Sequence, residues 1–156
     1  MRKGTIYDAA GGMPALRKLA AAWHDFAVAA PLVGHAFAHG YRDDHEERLA
    51  AYLAEALGGP RAYSERYGDQ SHVVRIHSGN GVHHEMDEEA IRIFADAVQT
   101  CGLPNDRELR QTLKDFWAWS LRARLSAYPD SPDDVPAHLT IPQWNWDGPV
   151  EEPQGM

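Results

Sequence analysis

The sequence predicts an all-α fold: one helical domain over residues 1–128, followed by an irregular extension over 129–156 that contains prolines and tryptophans. Three observations carry that reading. Apolar residues recur at helical spacing in four segments, caps and Gly/Pro stops bound those segments, and repeated prolines after residue 128 exclude regular structure there. With 156 residues and 44% hydrophobic content, the chain suffices for one core plus a ligand cavity.

The first helix is expected over residues 13–30, with Pro14 in its opening turn and Leu16, Leu19, Ala20, Trp23, Phe26 and Ala30 along one stripe. His24 lies a turn from Ala20 and from Ala27/Val28, near the apolar side, where a histidine needs a partner. Pro31 then interrupts, and Leu32 to Phe37 makes a short apolar segment before a polar corner. The next helix takes Asp43 or Asp44 as N-cap and Glu46 and Glu47 in its first turn. Its apolar line runs through Leu49, Tyr52, Leu53, Ala56 and Leu57 to a Gly58-Gly59-Pro60 stop.

Further on, Asp87 is expected to cap a helix that buries Ala90, Ile91, Phe94, Ala97, Val98 and Cys101 and closes at Gly102, with Pro104 preventing its return. Asn105 with Glu108 reads as a capping box for the last helix, whose core line is Leu109, Leu113, Phe116, Trp117, Leu121 and Leu125. Trp144 and Trp146 are too apolar for a free tail, so the extension is expected to dock in part and to be loose after about residue 149.

A formal net charge of −8, with arginines interleaved among acids, argues against a nucleic-acid partner. No apolar run approaches the ~20 residues of a membrane span. The lone Cys101 forms no internal disulfide, so a reducing cytoplasm is the expected location. Phosphate-loop, dinucleotide, CxxC and HExxH patterns are absent, which leaves the histidines to carry any chemistry.

Several blocks together carry a family likeness: Tyr7-Asp8-Ala9-Ala10-Gly11-Gly12, then Glu46-Glu47-Arg48-Leu49 through Gly58-Gly59-Pro60, then Tyr63-Ser64-Glu65 and His77. Over roughly residues 5 to 128 the chain resembles the truncated haemoglobins, 2-on-2 helical globins, and is most similar to their group II branch. The resemblance implies haem b, with His77 as the proximal iron ligand. It implies a distal pocket of His24, Phe37, His45 and Leu49 facing a diatomic ligand (O2, CO or NO). Tyr63, Arg66, Tyr67 and Arg75 surround the proposed ligand in sequence and are candidates to hold the cofactor's propionates.

Three departures mark this chain. His24 stands where group II members usually keep a tyrosine, Ser78-Gly79-Asn80-Gly81 replaces a Pro-Phe pair after His77, and Ala90 or Ile91 occupies the place of a tryptophan. They leave His72, His83 and His84 as rivals for the proximal role. Taken locally, Val73 to His77 before Asn80-Gly81 also reads as a β-hairpin, and His83-His84-Glu85 as a non-haem metal site. The expected function is reversible binding of O2 or another diatomic at a His-coordinated iron, in a monomer or homodimer served by a reductase. The alternatives are a haem-based redox enzyme or sensor, with peroxidase-like or NO-detoxifying chemistry, and a cofactor-free helical protein-binding module.

Overall fold

The computed structural model describes residues 2–37, 43–79 and 81–150. Among the described residues eight α-helices run in order: α1 (Ile6–Ala10), α2 (Gly12–Ala29), α3 (Val33–Phe37), α4 (His45–Ala56), α5 (Ala62–Arg66), α6 (Gln70–Ile76), α7 (His84–Thr100) and α8 (Arg107–Ser120). A π-helical turn, Leu121–Leu125, prolongs α8. The four long helices make the frame: α2 packs on α4 and on α7, and α7 packs on α8. Among the described residues no helix is long and apolar enough to cross a membrane.

Each long helix buries one stripe, as expected of amphipathic segments closing on a shared core. In α2 the buried line is Leu16, Leu19, Ala20, Trp23, His24 and Ala27, while Phe26 stands at the surface. Leu109, Leu113, Phe116 and Trp117 of α8, then Leu121 and Leu125, are buried as their spacing predicts. The paired glycines after α4 have a steric reason. Gly58 has φ +95°, and a Cβ on Gly59 would come within 2.5 Å of the Tyr7 ring. Tyr7 is fixed there by its N–H to the Leu57 carbonyl, 2.9 Å, and by its hydroxyl, which accepts the Met13 N–H at 3.1 Å.

Several local expectations shift. The N-cap of α8 is Asp106, one residue beyond Asn105, and its carboxylate accepts the Leu109 N–H at 3.0 Å. Helix α7 begins at His84, so Asp87 lies within its first turn as a buried carboxylate and not as its cap. There Asp87 meets His83 Nδ1 at 3.0 Å and accepts the Ser126 hydroxyl at 2.7 Å. Ile93 takes the fully inward place in α7, and Ile91 and Cys101 are half-buried. Asp44 sits before α4, but its carboxylate pairs with Arg48 at 3.0 Å and caps no N–H of the helix.

The extension is more ordered than its prolines predict. A 3₁₀ turn, Pro132–Asp134, precedes a β-hairpin of β1 (Gln143–Asn145) and β2 (Gly148–Val150), with Trp144 opposite Pro149. Proline is tolerated because both strands are edges; Gly148, at φ +113°, closes a tight turn. Trp144 is buried against Phe116 and Trp119, and Arg2 lies 3.9 Å from the Trp146 ring centre, whose N–H reaches the Gly4 carbonyl. The expected loose end beyond residue 150 lies outside the described residues.

The same extension braces α6. Ser71 Oγ donates to the Pro136 carbonyl at 2.6 Å and accepts the Leu139 N–H at 2.9 Å, and the Gln70 N–H reaches the Leu139 carbonyl. Beyond α6, the N–H groups of Gly79 and Gly81 bond to the carbonyls of Tyr128 and Pro129. Gly79 passes so close to Pro132 that a Cβ would approach the proline ring to 2.7 Å.

Candidate functional site

Three expected site residues converge although they come from three helices. His24 faces inward from α2, His45 opens α4, and Phe37 ends α3. The Nδ1 atoms of His24 and His45 are 3.0 Å apart, and Phe37 sets its edge against both rings, with centres 5.5 and 5.3 Å away. Trp23 backs this cluster: its ring lies 6.3 Å from His45 and 6.2 Å from Phe37, and its N–H reaches the Ala90 carbonyl at 3.3 Å. Leu49, one turn after His45, is half-buried against the core.

Burial, then the neighbouring His24 and His77, push the His45 pKa down to about 4, with Asp44 opposing. His45 is therefore neutral at neutral pH. One hydrogen lies between the two Nδ1 atoms, carried by one ring and accepted by the other.

His77 follows the last turn of α6, a helix and not the arm of a β-hairpin, because Asp69 caps it by accepting the His72 N–H at 3.0 Å. The Nδ1 atom of His77 is 2.7 Å from the Val73 carbonyl and donates to it, which fixes the ring and leaves Nε2 as the atom with a lone pair. His77 is exposed at the surface, and desolvation by the protein beside it, opposed by the bond to Val73 and by Asp87, lowers its pKa below the ordinary histidine value. It lies within electrostatic reach of His45. Ile76 and Val82, on either side of it in sequence, leave apolar side chains in water.

The other candidates are placed differently. His83 is engaged with Asp87 and His84 is exposed, and among the described residues no group of three or more side chains is set to hold a metal ion. His72 stands half-buried beside Gly68. Tyr63 is buried, edge-on to Tyr52 and 5.5 Å from Tyr67, and Tyr67 lies against the guanidinium groups of Arg48 and Arg66. Arg66 and Tyr67 line a cleft of about 450 Å³ with Met13, Arg17, Glu46 and Glu47, a recess that includes none of His24, His45 or His77. Arg75 is exposed.

Sequence reasoning missed Glu89. This buried carboxylate of α7 accepts the N–H groups of Leu32 at 2.9 Å and Val33 at 2.8 Å, and so holds the start of the helix that ends in Phe37. An acid beside Glu88 on an amphipathic helix reads as solvated, and only the unpaired N–H groups after Pro31 hint at a partner. Replacing Glu89 by Ala is expected to cost roughly 1–3 kcal/mol, because the buried Val33 N–H and the part-buried Leu32 N–H both lose their acceptor. Urea unfolding of the variant measures this.

Set beside solved structures, the chain is similar to the haemoglobin of Thermobifida fusca: 27% identity, 80% of this chain and 98% of that one, TM-score 0.66. The haemoglobin of Chloroflexus aurantiacus matches at 22% identity, covering 79% and 98%, with TM-score 0.67. The group II truncated haemoglobin of Bacillus anthracis matches at 16%, covering 86% and 100%, with TM-score 0.69. These last two show the fold alone. Comparison with curated proteins found no match. Residues 5–120 match the model of the family described as bacterial-like globin, and the chain belongs to that haem-binding family.

Proposed function

We propose that this globin holds haem b through His77 Nε2 and binds a diatomic ligand on the opposite face, beside His24, Phe37, His45 and Leu49. The observation that carries the reading is the pairing of two differently prepared imidazole sites. His77 has its Nδ1 engaged by a carbonyl, and His45, within electrostatic reach of it, is held neutral in an aromatic enclosure.

The donor set fits the cofactor. A neutral, oriented imidazole is the ligand reversible ferrous chemistry requires, and exposed Ile76 and Val82 beside His77 are apolar surface that a flat macrocycle would cover. Arg66, Arg75 and Tyr67 are the proposed partners of its propionates, with Tyr63 buried behind Tyr67. When bound, haem supplies the iron that takes the gas. The chain's part is to orient one imidazole on the iron, to exclude water with Phe37 and Trp23, and to direct an N–H at the ligand. Such a donor favours bound dioxygen, whose outer atom carries negative charge, by roughly 1 to 2 kcal/mol.

The test is titration of the purified protein with haemin, followed by dithionite and carbon monoxide. A Soret band that saturates at one haem per chain and shifts with carbon monoxide is the expected result. A folded protein that ignores haemin would overturn the reading and favour a cofactor-free binding module.

A further inference from the structure

Asp87 is a buried carboxylate to which the proposed function gives no task. We propose that it is a positioning residue acting through His77: its charge, paired with no arginine or lysine, sets how readily the bound iron is reduced, a reading that rests on the proposed haem site.

The fold converges on this side chain, which is 8% exposed. Helix α8 runs into the π-helical turn Leu121–Leu125, closed by the Ser126 N–H on the Leu121 carbonyl at 3.0 Å. Ser126 Oγ then reaches one carboxylate oxygen at 2.7 Å, and His83 Nδ1 stands at the other at 3.0 Å. The same turn packs on both α6 and α7. Just beyond it, Tyr128 and Pro129 accept the Gly79 and Gly81 N–H groups, so Asp87 is tied to the segment that follows His77. Isolated π turns within helices are uncommon and recur at functional sites.

A buried acid is ordinarily matched by a cation. Among the described residues no arginine or lysine pairs with Asp87. Arg122 of the π turn is held by Glu88 at 2.8 Å, and Arg124 lies over the Trp119 ring. Only His83, half-buried, stands against the charge. After desolvation and the Val73 carbonyl, Asp87 and His83 are the groups that act on His77, the carboxylate favouring positive charge on its ring and the imidazole opposing it. What favours a proton on that ring also favours charge on a metal bound to it. Ferric iron carries one positive charge more than ferrous, so Asp87 favours the ferric form. No bond forms or breaks: one electron from an outside reductant converts ferric iron to ferrous, and the carboxylate moves only the balance point. One charge screened as in protein is worth about tenfold in such an equilibrium, about 59 mV for one electron.

The test is potentiometric titration of the haemin-loaded full chain at an electrode, read by its absorption bands. Asp87→Asn is expected to raise the ferrous-to-ferric ratio at a fixed potential about tenfold. Ser126→Ala, which keeps the carboxylate, should stay within about threefold of native. His83→Arg and His83→Gln alter a half-buried position, so both should fold, and they differ by one permanent charge beside Asp87. The arginine variant is expected to lie about tenfold above the glutamine one. Equal potentials in these two variants would overturn the proposal, as would a native potential in folded Asp87→Asn or a Ser126→Ala shift as large as that of Asp87→Asn. A native protein with no one-to-one Soret band would instead defeat the haem reading itself.

Discussion

Replacing His77 by Gly is expected to leave a folded helical protein that no longer retains haem. His77 stands exposed after the last turn of α6, so little packing is lost. The loss falls on cofactor affinity. Even partners that only touch a metal's ligand are worth roughly 10- to 100-fold in affinity, so removal of the ligand itself should exceed about a hundredfold. Added imidazole, which fits the space of the deleted ring, is expected to restore a Soret band. His72→Gly and His84→Gly are expected to keep haem unchanged. An unaltered haem spectrum in the His77 variant would sink the assignment.

Trp144→Ala is expected to have the largest effect on stability. The indole is buried against Phe116 and Trp119, and removal of such a ring costs roughly 3–5 kcal/mol. Its consequence reaches the site, because the extension that Trp144 anchors is the one that bonds Ser71, Gln70 and Gly81, on both sides of His77. Amide hydrogen exchange in α6 should therefore accelerate more than in α8, where the truncated ring itself packs. Uniform acceleration across the molecule would show that the extension stabilises the core without bracing α6.

How far the sequence could be read follows from what kind of force acts. Helices α2, α4, α7 and α8 were legible because each buries a stripe whose period is visible in the residues. The interior place of Asp87 was not, since a buried acid is recognised only by the His83 and Ser126 that satisfy it. The hairpin at Trp144 escaped because proline rules describe interior strands and this ribbon has only edges. In the site, His24 and His45 are 21 residues apart, and no local spacing reveals that they meet. The family likeness grouped them on one face. It did not show that their Nδ1 atoms would bond. Glu89 and Ser71 act on distant backbone, so neither leaves a mark in periodicity.

The brace on α6 also has a place in time. Ser71 and Pro136 are 65 residues apart, and the brace lies C-terminal to everything it holds. At roughly 5–20 residues per second, translation delivers the acceptor for Ser71 about 3 to 13 seconds after the donor. Until then the segment bearing His77 is synthesised but unclamped. Completion of the segment that bears His77 therefore waits on residues 136–139 and not on the helices packed beside it.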